Sequence, residues 1–129
     1  MGNDWFFLGE ALVRALHNEQ LLAHGGGNGV RDAGLLDSAL QRPRNLAAYG
    51  DPDVAGLAAS LAFGIARNHP FVDGNKRTAF VAAATFIGAN GSRFEASEPD
   101  VVLTFVALAA GDLGEDDLAG WFRRNIRTV

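Results

Sequence analysis

The chain of 129 residues contains no cysteine, a single lysine and no long apolar run. Without cysteine there is no disulfide framework and no thiolate metal site, and a reducing cytoplasm is compatible with the chain. Gly, Asn or Arg interrupts the longest apolar stretches well before the roughly 20 residues that a membrane-spanning helix needs. Met1–Asp4 lacks the basic lead of a secretory signal, so we expect a cytoplasmic protein with no membrane partner.

Positive charge is also scarce, since 11 Lys and Arg residues stand against 15 Asp and Glu residues, for a net charge of −4. Proteins that grip a nucleic-acid backbone need clustered Lys and Arg, so direct nucleic-acid binding is not expected. The one lysine, Lys76, lies inside the most unusual segment of the sequence.

Apolar residues recur at helical spacing along most of the chain, and no clear strand alternation is present. The length fits a single domain over residues 1–129. We predict an all-α fold of about six helices, over residues 5–23, 33–42, 53–67, 75–90, 98–110 and 115–127. The third and fourth of these helices are apolar on nearly every side, which predicts that they lie in the centre of the domain.

The segments between these helices have simpler predictions. The glycine run Gly25–Gly29 is not followed by the Lys-Ser/Thr of a phosphate-binding loop, so it is predicted to be a flexible connector. Pro43 predicts the end of the second helix and an irregular stretch over 43–52. Residues 92–96 suit a short extended turn. His17 and His24 lack an acidic or histidine partner at ligand spacing, so no metal role is expected for them.

A polar segment, Arg67–Arg77, joins the two central helices. His69 is the one residue there that accepts a proton near neutral pH without large tuning, so it suits a general base. Asp73 supplies a hard oxygen ligand suited to Mg²⁺ that is held together with phosphates. A segment anchored between two rigid helices can hold such groups in fixed geometry.

The start of the second central helix carries the features of an anion site. Gly74 and Asn75 present free backbone N–H groups at the positive end of the helix dipole. Lys76 and Arg77 add two full positive charges there, where cations are unfavourable unless an anion neutralises them. The simplest such anion is the polyphosphate of a nucleotide.

Ordinary turn chemistry also accounts for each of these residues taken singly. A Pro-x-x-Asp-Gly stretch is a common turn between helices, Asp73 suits a helix cap, and Arg77 suits an ion pair with any nearby acid. A base, an acid, a glycine and two cations within nine residues together favour a phosphate-handling site.

The nine residues HPFVDGNKR, His69–Arg77, resemble the Fic/Doc family signature His-Pro-Phe-x-x-Gly-Asn-x-Arg. Upstream, VRDAGLLDSAL resembles the corresponding stretch of many Doc relatives, and the resemblance spans residues 8–127. It implies a Fic/Doc helical bundle with the active loop between two central helices. It also implies that ATP is the substrate and that Mg²⁺ accompanies it.

The same resemblance implies a role for each residue of the loop. His69 would deprotonate the target hydroxyl, and Asp73 would position Mg²⁺. Two residues, Gly74 and Asn75, would line the anion hole. The remaining cations would contact phosphate, with Lys76 and Arg77 as the main candidates and Arg67 as a further candidate for phosphate or substrate.

Two departures separate this chain from Fic enzymes that transfer AMP, which read Gly-Asn-Gly-Arg and then carry another Arg three positions on. Lys76 replaces the middle Gly and Phe80 replaces the final Arg. The Asn-Lys-Arg-Thr form resembles the Doc (death-on-curing) toxin branch. That branch implies a protein kinase toxin that moves the ATP γ-phosphate to a threonine of elongation factor Tu and blocks translation. An AMP- or other nucleotidyl-transferase and a non-catalytic, antitoxin-binding regulator remain as alternatives.

The resemblance also implies partners. No Ser or Thr in the chain is followed by Glu four positions later, the spacing of the internal inhibitory helix of some Fic proteins. Inhibition by a Phd-like antitoxin, whose C-terminal segment occupies an apolar groove, is therefore expected. Residues 43–52, with Arg42, Arg44 and Tyr49, are a candidate for the flap that aligns a target chain in such proteins.

Overall fold

A computed structural model describes residues 4–128 and contains, in that range, six α-helices and one two-stranded sheet. The helices are α1 Glu10–His24, α2 Ala33–Tyr49, α3 Val54–Asn68, α4 Asn75–Ala89, α5 Glu98–Ala110 and α6 Glu115–Asn125. The strands are β1 Ser92–Phe94 and β2 Ile126–Thr128. The prediction of an all-α fold with about six helices is confirmed. No helix within residues 4–128 is long and apolar enough to cross a membrane.

Helix α3 forms the centre of the bundle, with α2, α4 and α6 packed around it. Ten of its fifteen residues are buried, most of them Ala, Gly or Leu. Small side chains let the neighbouring helices approach closely, and a Cβ added at Gly64 would lie only 3.1 Å from the Cα of Ala39 on α2. Because α3 and α4 are both anchored in this core, the loop that joins them leaves a rigid framework.

Side chains cap three of the helices, and α3 begins at Val54, one residue later than predicted. Asp32 caps α2 by accepting a hydrogen bond from the backbone N–H of Leu35 at 3.0 Å. Ser97 caps α5 in the same way. Asp53 caps α3, because its carboxylate accepts from the backbone N–H of Gly56.

Helix α2 continues through Pro43 to Tyr49, so the predicted irregular stretch over 43–52 is wrong for its first seven residues. Pro43 is buried, and the turn beyond it is supported by contacts with other elements. The guanidinium of Arg44 lies 5.0 Å from the centre of the Phe7 ring, and Ala47 packs against the core. This packing outweighs the backbone hydrogen bond that a proline cannot donate.

Helix α1 begins at Glu10, five residues later than predicted. Residues 5–9 form no regular secondary structure, because their aromatic rings pack on α4. Trp5 and Phe7 lie against Phe86, with ring centres 6.3 and 6.1 Å away. The side-chain amide of Asn90 bonds both the N–H and the carbonyl of Phe6, which ties this segment to the end of α4.

The last helix ends at Asn125 and not at 127, because Ile126–Thr128 pairs antiparallel with Ser92–Phe94. Phe94 of β1 packs against Trp121 and Phe122 of α6, with ring centres 5.1 and 5.7 Å away. This packing holds β1 beside the chain that follows α6. The predicted extended turn over 92–96 thus contains a short strand, and the two-stranded sheet is a small addition to the all-α fold.

Candidate active site

The loop between α3 and α4 begins at His69, whose backbone has an unusual conformation. His69 is the C-cap of α3 and adopts φ 50 and ψ 56, the left-handed region. Within residues 4–128 it is the only non-glycine residue with positive φ. Arg31 holds this turn by donating to the carbonyls of His69 at 2.7 Å and Asn68 at 2.9 Å. The exposed imidazole is thus mounted on a backbone that other residues fix in place.

The residues after His69 pair with the segment that leads into α2. Val30 and Phe71 form an isolated antiparallel bridge. The carbonyl of Pro70 accepts from the N–H groups of Arg31 at 2.7 Å and Asp32 at 3.0 Å. The loop is therefore held along its length by backbone hydrogen bonds from a distant part of the chain.

Asn75, the first residue of α4, clamps the middle of the loop with its buried side chain. Its Oδ1 accepts from the N–H of Phe71 at 3.0 Å, and its Nδ2 donates to the carbonyl of Phe71 at 3.0 Å. The same Nδ2 lies 3.5 Å from Nδ1 of His69, at the outer limit of hydrogen-bond length. The side chain of Asn75 therefore supports the loop, and only its backbone N–H is available to line an anion site.

Asp73 is exposed, and two backbone N–H groups fix its carboxylate. Oδ1 accepts from Gly74 at 2.8 Å, and Oδ2 accepts from Gly27 at 3.3 Å. These two hydrogen bonds, followed by the charge of Arg77, lower the pKa of Asp73 below its ordinary value of 3.8. The carboxylate is ionised at neutral pH. The glycine run that was predicted to be only a connector thus contacts the loop, and a Cβ added at Gly26 would lie 2.9 Å from Oδ2.

The amino end of α4 places positive charge close to Asp73. Gly74 is the N-cap, in the left-handed conformation with φ 76 and ψ 19, and the first turn of the helix contains no acid. The first N–H groups of a helix have no partner inside it. Lys76 and Arg77 lie in this first turn with exposed side chains. Free N–H groups, the helix dipole and two cations together form a site suited to phosphate.

Arg67 lies in the last turn of α3, and its guanidinium is 5.2 Å from the centre of the Phe63 ring. Arg42 approaches the same ring at 5.3 Å. The contacts found for Arg67 are therefore with α3, while the other predicted site residues lie in the loop and at the start of α4. Phe80 packs edge-to-face with Phe94 and Phe105, at 5.3 and 5.5 Å.

Two residues that support the loop were not expected from the sequence. His17 on α1 is buried, and its Nε2 lies 2.8 Å from the carbonyl oxygen of Asp73. A polar residue four positions after the buried Val13, on the inward face of α1, is the signal that could have found it. Arg31 has no such signal, because its targets at the end of α3 are 37 and 38 positions away.

The donor set fits Mg²⁺ that is brought with a nucleotide. Among residues 4–128 no cluster of three or more His, Cys, Asp or Glu side chains could hold a metal ion. Asp73 supplies one ionised and exposed carboxylate beside the amino end of α4. One or two carboxylates together with substrate phosphates are the usual ligands of Mg²⁺ in enzymes that use ATP.

Known proteins resemble this chain over most of its length. Residues 7–87 match the Fic/DOC family. The chain is 49% identical over 109 residues to Toxin Doc of Mycolicibacterium smegmatis (strain ATCC 700084 / mc(2)155), which covers 78% of this chain and 83% of that protein. It is 32% identical over 111 residues to Protein kinase doc of Escherichia phage P1, which covers 85% of this chain and 87% of that protein.

Proposed function

The chain belongs to the Fic/Doc family, and we propose that it is the toxin of a toxin–antitoxin pair and transfers the γ-phosphate of ATP to a protein hydroxyl. The observation that carries this proposal is the arrangement of the loop. An exposed His69 and an ionised Asp73 lie beside a helix start with free N–H groups and two cations. The coarser conclusion, a protein-modifying enzyme that uses a nucleotide, follows from the family.

In the proposed reaction His69 accepts the proton of a Ser or Thr hydroxyl of the target. The hydroxyl oxygen forms a bond to the γ-phosphorus while the bond from that phosphorus to the β–γ bridging oxygen breaks, and ADP leaves with that oxygen. Lys76, Arg77 and the N–H group of Asn75 hold the phosphates and offset their charge. The N–H of Gly74, which the sequence predicted to line the anion site, donates instead to Oδ1 of Asp73. Asp73 would hold Mg²⁺, which neutralises charge on the phosphate oxygens when it is bound.

Two positions favour γ-phosphate transfer over AMP transfer. Lys76 places a long cationic side chain at the first turn of α4, where an AMP-transferring site has only backbone. Phe80 provides no cation one turn later, because its ring packs against Phe94 and Phe105. A pose that depends on an arginine at that place is therefore disfavoured. We propose a Ser/Thr kinase, with elongation factor Tu as the target on the strength of the resemblance.

The transfer is tested with ATP labelled on the γ- or, separately, on the α-phosphate, and a translation extract as the source of target. Label that enters protein only from the γ-position supports a kinase, and the labelled band identifies the target. Label from the α-position would instead make the chain a nucleotidyltransferase. A folded His69→Ala variant is the control and should transfer nothing, since the imidazole is exposed and outside the core. Growth inhibition that survives this substitution would favour the non-catalytic regulator.

We place the antitoxin partner in the groove between α5 and α6, which has a volume of about 470 Å³. Ala107 and Trp121 line it, and Leu103 stands 70% exposed on it. Two acids, Asp116 and Asp117, and one base, Arg124, line the same groove. With this excess of negative charge it suits an amphipathic segment with apolar anchors and basic residues. The occupant that we propose is the C-terminal segment of a Phd-like antitoxin.

Leu103→Asp should weaken the binding of a Phd-like antitoxin by at least about tenfold, because it places a charge among the apolar anchors. Leu22→Asp is the matched control, since Leu22 is 89% exposed on α1, away from this groove. Affinity is measured by titration calorimetry with the antitoxin peptide. Equal loss in both variants, or loss only in the α1 variant, would rule out this groove as the site.

A further inference from the structure

His17 is a buried polar residue for which the proposed transfer has no use. It lies on α1 and is 2% exposed. Its Nε2 is 2.8 Å from the carbonyl oxygen of Asp73. A carbonyl oxygen can only accept, so Nε2 carries the proton and donates it to this oxygen. The contact joins α1 to the active loop across 56 positions of sequence.

The carbonyl that His17 holds belongs to the same peptide unit as the N–H of Gly74. A peptide unit is planar and trans, so fixing the carbonyl on one side fixes the direction of the N–H on the other side. That N–H donates to Oδ1 of Asp73 at 2.8 Å. The orientation of this one peptide therefore sets one of the two hydrogen bonds that fix the Asp73 carboxylate beside the start of α4.

Glycine by itself does not fix this peptide. Gly74 has φ 76, and glycine populates positive and negative φ about equally, so rotation of the unit about its ends meets little steric resistance. A donor outside the loop is needed to select one orientation. The His17 ring is in the right place, because a Cβ added at Gly74 would lie 3.8 Å from its Cδ2 and Nε2.

The ring of His17 is itself held rigidly. It stacks on the ring of Phe71 with centres 3.8 Å apart and planes 9° from parallel. The backbone of Phe71 is in turn clamped at both its N–H and its carbonyl by the side chain of Asn75. The donor is thus supported by the same buried residues that shape the loop, and it has little freedom to leave the carbonyl.

We infer that His17 is a positioning residue of the active site, which holds the Asp73–Gly74 peptide in the orientation that phosphate transfer requires. The inference rests on the proposed function of the loop. His17 touches neither the reacting atoms nor the phosphates, and it acts through the peptide. A histidine that only fills space in the core would affect stability without affecting the rate of transfer.

Two substitutions separate these roles. His17→Leu keeps an apolar side chain of similar bulk and removes the donor, whereas His17→Gln keeps a donor at the place of Nε2. We expect His17→Leu to lower kcat/KM for γ-phosphate transfer by roughly 10- to 100-fold and to raise the Mg²⁺ concentration for half-maximal rate. His17→Gln should restore the rate to within a few fold of the original. Val13→Ala is the matched control, since it removes buried apolar volume from the same helix and should reduce stability alone.

A second readout does not depend on activity. In protein labelled with ¹⁵N at glycine, the Gly74 amide resonance should shift or broaden in His17→Leu and stay near its original position in His17→Gln and Val13→Ala. If the original chain transfers no phosphate, the proposed function fails, and this amide resonance still tests the inference. A folded His17→Leu variant with an unchanged Gly74 resonance, or with full activity, overturns it. Equal losses in the Leu and Gln variants, with the Gln variant folded, overturn it as well.

Discussion

Substituting His69 by glycine and by alanine separates the cost of backbone strain at this position from the contribution of the imidazole. His69 adopts φ 50 and ψ 56, where a side chain crowds the following carbonyl. Both substitutions remove the imidazole and its 3.5 Å contact with Asn75. Both also keep the carbonyl that Arg31 holds. The difference in stability between the two variants therefore reports the backbone conformation alone.

The expected difference follows from two opposing terms. A left-handed conformation costs an L residue roughly 1–2 kcal/mol, and glycine avoids this cost. Glycine also gives the unfolded chain more freedom, which lowers stability by about 0.4–1 kcal/mol relative to alanine. His69→Gly should therefore be more stable than His69→Ala by about 0.5–1 kcal/mol. For a chain of this length that corresponds to about 2–4 °C in Tm.

Urea denaturation with equal m-values measures this difference, and thermal denaturation gives an independent value. Arg67 is the matched control, because it is exposed in the right-handed part of α3. There the order should reverse, with Arg67→Gly less stable than Arg67→Ala by about 1 kcal/mol. An alanine variant at 69 that is at least as stable as the glycine variant would refute the strain. Transfer by either folded variant would remove His69 as the base.

Three further changes test other parts of the structure. The hydroxyl of Thr78 is fully buried and has no partner among residues 4–128, so Thr78→Val should keep or raise Tm. Arg123 lowers the pKa of Asp53 below 3.8. The original chain should therefore be more stable than Asp53→Asn by a few tenths of a kcal/mol to about 1 kcal/mol. Urea denaturation at several pH values should give a constant difference above pH 5. It should vanish as the pH falls through the lowered pKa, because only the ionised carboxylate makes the pair; a difference that persists there contradicts this. Gly26→Ala, whose Cβ meets the loop carboxylate at 2.9 Å, should lower transfer at limiting Mg²⁺ by about tenfold or more. Gly111→Ala, also at positive φ but in open space at the end of α5, should lose stability only, and equal activity in both would exclude the contact.

The helices that carry the site were predictable because their signals are local. Helix α3 is apolar on nearly every side, and its partner α4 ends before Gly91, as the pattern predicted. The loop between them could be recognised from its composition. The failures lie where packing between distant elements outweighs local preference. Pro43 lies inside α2 and residues 5–9 are not helical, because each is supported by residues remote in sequence.

The candidate site shows the same division. The residues proposed for chemistry could be assigned from their type and order, as with His69 and Asp73. The residues that hold them could not, because they come from other parts of the chain. Gly27 reaches the Asp73 carboxylate across 46 positions and His17 reaches its carbonyl across 56. No periodicity or spacing rule connects residues at such separations, so their roles become visible only in three dimensions.

The nine-residue signature is therefore a mixture of two kinds of residue, distinguished by burial. His69, Asp73 and the two cations are exposed, and in the proposed reaction they meet target, metal and phosphate. Pro70, Phe71 and Asn75 are buried and make the contacts that shape the loop. Asn75 belongs to both kinds. The sequence predicted an anion site that uses its backbone N–H, and its side chain is occupied by the backbone of Phe71, so in the proposed reaction it contributes through its N–H and through the rigidity that it gives the loop.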